Sequence, residues 1–220
     1  MQTVEPIDSC PLCKTPNEQQ KLIDSSANRQ FVKCLGCELV YVPKSDHITN
    51  SDEKMIYDYH QNDPEDLGYR NFLNKLACPL SDQLPNNSEG LDFGCGPGPT
   101  LSLLLRQNGH QMVDYDPIYR NELELLDRKY DFVCATEVVE HFRNPSESFD
   151  LMFSMLKSKG LLGLMTKLNP EKERFSDWHY TRDKTHISFY HERTVEYLAN
   201  RYQCETEIIG NDVIIMRRLN

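Results

Sequence analysis

The sequence predicts an α/β protein built on a mainly parallel sheet, with a small cysteine-held module ahead of it. Three observations carry that expectation. An apolar run ends in alternate glycines and passes straight into a helix over 91–105. Strand-like and helix-like segments alternate from there onward, a pattern that covers a parallel sheet with helices on both faces. Two C-x2-C pairs stand near the N-terminus.

Taking the chain in order, Cys10-Pro-Leu-Cys13 and Cys34-Leu-Gly-Cys37 are separated by twenty residues. Each pair fits a short turn that aims two thiolates at one ion, and four thiolates complete the tetrahedral shell of Zn2+. Gly36 gives the second turn its freedom. Residues 30–33 and 38–42 read as short strands, so residues 1–45 form a zinc ribbon with Cys10, Cys13, Cys34 and Cys37 as ligands. A segment so poor in large apolar residues depends on the metal to fold. With thiolates at every ligand position the ion is structural. The ribbon then braces its neighbour or touches substrate, in preference to reading nucleic acid.

Residues 46–80 form a second unit. Lys44 to Asp63 is polar and reads as a linker, broken by Tyr57 and Tyr59. From near Pro64, Tyr69, Phe72, Leu73 and Leu76 fall at i, i+3, i+4, i+7, the stripe of an amphipathic helix.

Residues 81–220 hold the alternating core. Leu91 to Gly94 reads as its first strand, and Gly94, Gly96 and Gly98 occupy alternate positions after Asp92. Bare backbone there lets a ligand approach the chain, and some of these positions call for positive φ. Leu101, Leu104 and Leu105 open the helix behind the loop, so its N–H groups face whatever sits above the strand end. That is a nucleotide-type site. Pro99 stands where the dinucleotide fingerprint G-x-G-x-x-G needs its third glycine, which excludes a dehydrogenase loop.

Gly109 ends that helix as a C-cap glycine does. Residues 111–115 form the second strand, and Asp116 follows about twenty residues after the loop, where an acid accepts hydrogen bonds from ribose hydroxyls. Asp114 is the runner-up, and a plain turn role is the alternative for either. Residues 131–136 are the next strand. Phe149, Met152, Phe153 and Leu156 make a core-facing helical stripe, and 161–166 another strand. A polar loop runs to Asp183, a helix carries Val195, Leu198, Ala199 and Tyr202, and two strands flank the turn Gly210-Asn211.

Composition bounds the partners. Twenty-four basic against thirty-four acidic residues leave a net charge of −10, which disfavours broad adhesion to nucleic acid or anionic membrane. No apolar run reaches membrane-spanning length and no signal-peptide pattern opens the chain. Eight cysteines without export signals point to metal and reduced thiols, so we expect a cytoplasmic protein. Cys78, Cys95, Cys134 and Cys204 read as isolated buried or partly buried thiols.

The loop, acid-x-G-x-G-x-G from Asp92 to Gly98, resembles motif I of the class I S-adenosylmethionine-dependent methyltransferases. The run Tyr-Asp-Phe-Val-Cys-Ala-Thr-Glu-Val-Val-Glu-His-Phe over 130–142 is similar to the strand-four motif of methyltransferases of the ubiquinone-biosynthesis type. The resemblance implies a Rossmann-like, mainly parallel sheet of order 3-2-1-4-5-7-6, closed by a hairpin, and S-adenosyl-L-methionine as cofactor. It implies cofactor contacts at Asp92, Gly94, Cys95, Gly96, Gly98, Asp116, Thr136 and Glu137. It also implies an N-terminal segment lying over the cofactor, so that Tyr57 or Tyr59 caps the methionine end; anchoring of the linker to the core is the alternative. Only fourteen residues separate Asp116 from Asp131. That leaves room for a short helix or a vestigial strand, and the third strand is expected to be lost or shortened.

Methyl transfer from a sulfonium needs alignment and sometimes a base, but no protein nucleophile. His141 follows the fourth strand and His186 follows the fifth; each is expected to act as base or substrate contact, against a loop-pinning or strand role. Trp178, His179 and Tyr180 are expected to wall the acceptor pocket or to pack on the core. The leading expectation is methyl transfer to a small molecule through C, O or N. An RNA-base methyltransferase and a non-catalytic module that keeps the fold are the alternatives.

Overall fold

The protein is described from a computed structural model, which covers residues 9–16, 20–23, 29–59, 62–170, 175 and 177–220. No helix among the described residues is long and apolar enough to cross a membrane. In chain order the strands and helices are β1 (Gln20–Ile23), β2 (Phe31–Cys34), β3 (Val40–Tyr41), α1 (Asn50–Tyr57), α2 (Leu67–Asp82) and β4 (Glu89–Phe93). There follow α3 (Thr100–Gln107), β5 (Gln111–Tyr115), β6 (Tyr130–Thr136), α4 (Pro145–Ser154) and β7 (Leu156–Met165). β8 (Ser188–Phe189), α5 (Glu192–Tyr202), β9 (Cys204–Ile209) and β10 (Val213–Arg218) complete the chain.

The large sheet has the order β5-β4-β6-β7-β10-β9. β5, β4, β6 and β7 run parallel, and β10 is antiparallel to both of its neighbours. This is the expected order with its third strand gone. Residues 117–130 hold a 3-10 turn, Leu123–Asp127, and an isolated bridge between Asp116 and Arg120.

Period-two alternation assigns the two faces of the sheet. Phe132 and Cys134 of β6 join Leu161, Val213 and Ile215 on one face, under Leu73, Leu76 and Leu80 of α2 and Leu101, Leu104 and Leu105 of α3. Val133 and Ala135 join Leu91, Leu162, Leu164, Ile214 and Met216 on the other, under Phe149, Met152 and Phe153 of α4 and Val195 and Leu198 of α5. Leu156 is buried as expected but opens β7, because α4 ends at Ser154.

One stretch read as linker from composition is structured, and one short strand had no assignment from the sequence. Residues 50–57, inside the presumed linker, form α1, whose N-cap Thr49 accepts the Asp52 N–H at 3.2 Å. Helix caps of this kind supply a donor's missing partner. Ser188–Phe189 pairs with β3, so the ribbon's sheet, β1-β2-β3-β8, takes its last strand from the far end of the chain. Cys10, Leu12, Cys34, Cys37 and Leu39 pack in the same cluster as β6, α4 and α5. Cys78 is exposed, contrary to expectation, whereas Cys95 and Cys134 are buried.

Candidate active site and cysteine centre

β4 ends at Phe93 and the chain turns through Gly94 and Gly96, with φ of +81° and +65°. Only glycine adopts that region at little cost. The Gly94 and Cys95 N–H groups both reach the Tyr115 carbonyl, at 2.8 and 3.1 Å, which ties the loop to the end of β5. Asp116 tightens it further. Its Oδ2 accepts the Gly96 N–H at 3.0 Å, and its Oδ1 accepts those of Ile118 and Tyr119 at 2.8 and 3.0 Å. A carboxylate has roughly four acceptor positions, so one more donor fits.

These residues line a cavity of about 1080 Å³. Gly94, Cys95, Gly96, Asp116, Thr136 and Glu137 share its wall with Tyr57, His141 and His186. Asp92 and Gly98 do not line it. Gly98 lies where a side chain would meet the Asn62 carbonyl at 2.6 Å. Asp92 is buried within β4, and burial, followed by the charges of Asp114 and Asp116, lifts its carboxyl to about 8. Asp114 is engaged elsewhere, by Arg106 at 3.1 Å and Arg120 at 3.8 Å.

Asp92 carries a pH consequence. A carboxyl raised from an unfolded value near 3.9 to about 8 is protonated in the native state alone between those limits. Stability from that group is full below the unfolded value and is lost as pH rises through the folded one. Asp92→Asn should therefore flatten the fall in melting temperature between pH 5 and 8. Equal slopes for the two proteins would show that Asp92 ionises normally.

Glu137 leaves β6 in the left-handed region, φ +51°, an uncommon conformation that persists where surrounding structure imposes it. Its N–H bonds the Met165 carbonyl at 2.7 Å, and burial raises its carboxyl to about 8. Glu140 is fully buried and raised to about 7, again chiefly by burial; its Oε1 accepts the Tyr180 hydroxyl.

His141 and His186 stand with ring centroids 4.9 Å apart, and the Tyr57 ring meets His141 edge-on at 5.3 Å. Each imidazole has its Nδ1 on a backbone carbonyl, His141 on Thr185 at 3.0 Å and His186 on Tyr180 at 2.9 Å. A carbonyl only accepts, so both Nδ1 atoms carry the proton and both Nε2 atoms keep a lone pair. Burial lowers both rings, His186 to about 4. At neutral pH they are uncharged.

Tyr57 lines the cavity and Tyr59 does not, being 79% exposed. α1, which carries Tyr57, is clasped at two places. Arg143 donates to Glu53 at 2.8 Å and to the Ile48 carbonyl at 3.0 Å, and Tyr119 donates to Asp58 at 2.7 Å. Trp178, His179 and Tyr180 do not wall the cavity. Trp178 and Tyr180 pack with Phe31, Phe175 and Phe189, while His179 meets Lys167.

Sequence reasoning missed Glu53, Arg143 and Asp183, all on the cavity wall. Asp183 had a signal, since Asp-x-Thr favours an Asx turn. Its Oδ1 accepts both the N–H and the hydroxyl of Thr185. Arg29, from the ribbon, donates to the carbonyls of Asp183 at 2.7 Å and His186 at 2.9 Å. Nothing in its sequence surroundings announces that contact.

At the cysteine centre, Cys10 and Cys37 place their sulfurs 3.7 Å apart, and Cys13 and Cys34 3.4 Å. All four lie within 4.8 Å of one another. Zinc with Zn–S bonds of about 2.3 Å needs tetrahedral edges near 3.8 Å. The separations fit that shell and are too long for disulfides.

The family comparison decides the class. A profile described as "Methyltransferase domain" matches residues 65–207, well over half of the chain. The chain belongs to the methyltransferase-domain family. By family and fold it is a class I S-adenosylmethionine-dependent methyltransferase. No curated protein sequence matches it. Among solved structures, the methyltransferase is similar to the 1,6-didemethyltoxoflavin-N1-methyltransferase of Burkholderia thailandensis, which holds 1,6-didemethyltoxoflavin and S-adenosylhomocysteine. The TM-score is 0.54 and the identity 11%, covering 84% of this chain and 98% of that one. It is also similar to the magnesium protoporphyrin IX methyltransferase of Synechocystis with bound S-adenosylhomocysteine, at TM-score 0.51 and 16% identity over 76% and 93% of the two chains. At such identities the likeness is one of fold.

Proposed function

We propose that this methyltransferase moves a methyl group from S-adenosylmethionine to a small molecule held in the same cavity. One observation carries the reading: the bare loop at Gly94–Gly96, the Asp116 carboxylate and the histidine pair share a single cavity of about 1080 Å³. That exceeds the few hundred to about 1,000 Å³ usual for a one-ligand pocket. The two similar enzymes are named for small-molecule acceptors, and a net charge of −10 disfavours a nucleic-acid acceptor.

In this reading the bare loop lets the donor approach the backbone, Asp116 holds the adenosyl sugar, Thr136 and Glu137 contact the donor, and Tyr57 covers its methionine end. Asp92 and Gly98 support the loop from behind. His141 and His186 face the acceptor. The chain's work is alignment and exclusion of water, because the displacement itself needs no covalent partner. Zinc in the four-cysteine centre would be held by four thiolates with no position left for substrate, so it braces the ribbon.

Calorimetry with S-adenosylmethionine, S-adenosylhomocysteine and NAD tests the donor: the first two should bind and NAD should not. No binding of either adenosyl ligand at millimolar concentration would end this reading. Screening metabolites for S-adenosylhomocysteine release then identifies the acceptor. Asp116→Ala removes the acceptor for the Gly96, Ile118 and Tyr119 N–H groups as well as the proposed contact to the sugar. It should weaken donor binding by about 3 kcal/mol, roughly 100-fold. Asp114→Ala should stay within a few-fold of the parent on the same scale; the opposite ranking would transfer the sugar contact to Asp114.

A further inference from the structure

We propose that Glu140, His141 and His186 form a second metal site, separate from the four-cysteine centre, that binds a first-row divalent transition ion. One ligand atom from each of the three lies within 4.8 Å of the other two. The histidines are already oriented as ligands. Each donates Nδ1–H to a backbone carbonyl, Thr185 for His141 and Tyr180 for His186, which leaves Nε2 with its lone pair. Metal-bound imidazoles are held in this manner.

An independent observation points to a missing partner. Glu140 is entirely buried, its Oε1 is taken by the Tyr180 hydroxyl, and its Oε2 has no hydrogen-bond partner among the described residues. A buried, unpaired carboxylate oxygen is costly, and a cation beside it removes that cost. Asp183 adds to the field, with Oδ2 3.8 Å from His186 Nε2. Two imidazoles and one carboxylate select zinc, iron or manganese over calcium or magnesium, which prefer oxygen throughout. Three protein ligands leave further positions open, and His141, His186 and Asp183 line the cavity.

If the small-molecule reading above holds, an acceptor oxygen occupies one of those positions. The ion then polarises an acceptor hydroxyl and favours loss of its proton to water. Nucleophilic oxygen attacks the sulfonium methyl, the C–S bond breaks, and its electron pair stays on sulfur, with no change in oxidation state. Oxygen acceptors are thereby preferred over carbon.

The test uses the full chain with its cysteine centre loaded, dialysed against Zn2+, Mn2+ or Co2+ and assayed for bound metal. Two ions per chain are expected at saturation. The second Co2+ should lack the intense thiolate charge-transfer band of the first. His186→Gln and Glu140→Gln should each retain one ion and weaken the other beyond the roughly 10- to 100-fold that loss of a ligand's supporting partner costs. One ion per wild-type chain overturns the proposal whatever the variants do, and so does a second ion bound equally by both variants and the parent. Metal counting needs no methyl donor. Failure of donor binding with two ions bound would sink the transfer reading alone.

Discussion

Gly96→Val is expected to abolish S-adenosylmethionine binding and leave the four-cysteine centre fully loaded. Gly96 holds φ of +65° at the cavity wall, and its N–H is the one that Asp116 Oδ2 accepts. A β-branched residue is strained there by about 1–3 kcal/mol. Relaxing that strain turns the N–H away from Asp116. The added Cβ also comes within 3.1 Å of Asn62 Nδ2, and the rest of the side chain occupies donor space. Gly109→Ala is the control. It sits at φ +91° with nothing within 4 Å of its Cβ, so it carries comparable backbone strain with no cavity effect. Calorimetry should find no donor binding in the first variant and ordinary binding in the second, with one zinc per chain bound at the cysteines in both. Donor affinity retained in Gly96→Val would remove the loop from the donor site.

Cys34→Ser should destabilise the whole chain, not the ribbon alone. A ribbon joined by a loose linker would melt separately and leave the larger domain as it was. Here Cys10, Leu12, Cys34 and Cys37 pack with β6, α4 and α5, and β3 pairs with β8. Arg201 reaches from α5 to the Leu12 carbonyl at 3.2 Å. Structural zinc contributes on the order of 10 kcal/mol in isolated fingers, and losing half of that would lower the melting temperature by roughly 10–20 °C for a chain of this size. One cooperative transition at the lower temperature is the expected scan. The acceptor side should suffer with it, because Arg29 holds the carbonyls of Asp183 and His186. An unchanged main transition in Cys34→Ser would mean that the two parts fold independently.

Much of this was legible in the chain. Local signals are strong where backbone conformation or chemistry allows few residue types. The glycines at 94 and 96 mark positive φ, and the cysteine pairs mark the ribbon. The fourteen-residue gap before Asp131 announced the loss of a strand, since a helix and a strand cannot both fit. Asp116 could be ranked above Asp114 by its offset from the loop. In the structure Asp116 lines the cavity and Asp114 does not, its Oδ2 lying against Arg106 and Arg120.

Other features had no local signature. α1 is polar because it covers a cavity mouth and packs on little else, so composition made it look like linker; none of its described residues is buried. Trp178 and Tyr180 stood between pocket wall and core because aromatic residues near a histidine suit either role, and only packing against Phe31 and Phe189 separates the two. The sequence by itself determined the glycine loop and the two cysteine pairs, because each depends on residues close together in the chain, and the alternation of strand and helix determined the class of sheet. Tertiary structure alone decided that the ribbon completes its sheet with Ser188–Phe189, and that Glu140, His141 and His186 meet. Those contacts join segments far apart in the chain. No periodicity or spacing encodes such a meeting; burial of the core brings it about.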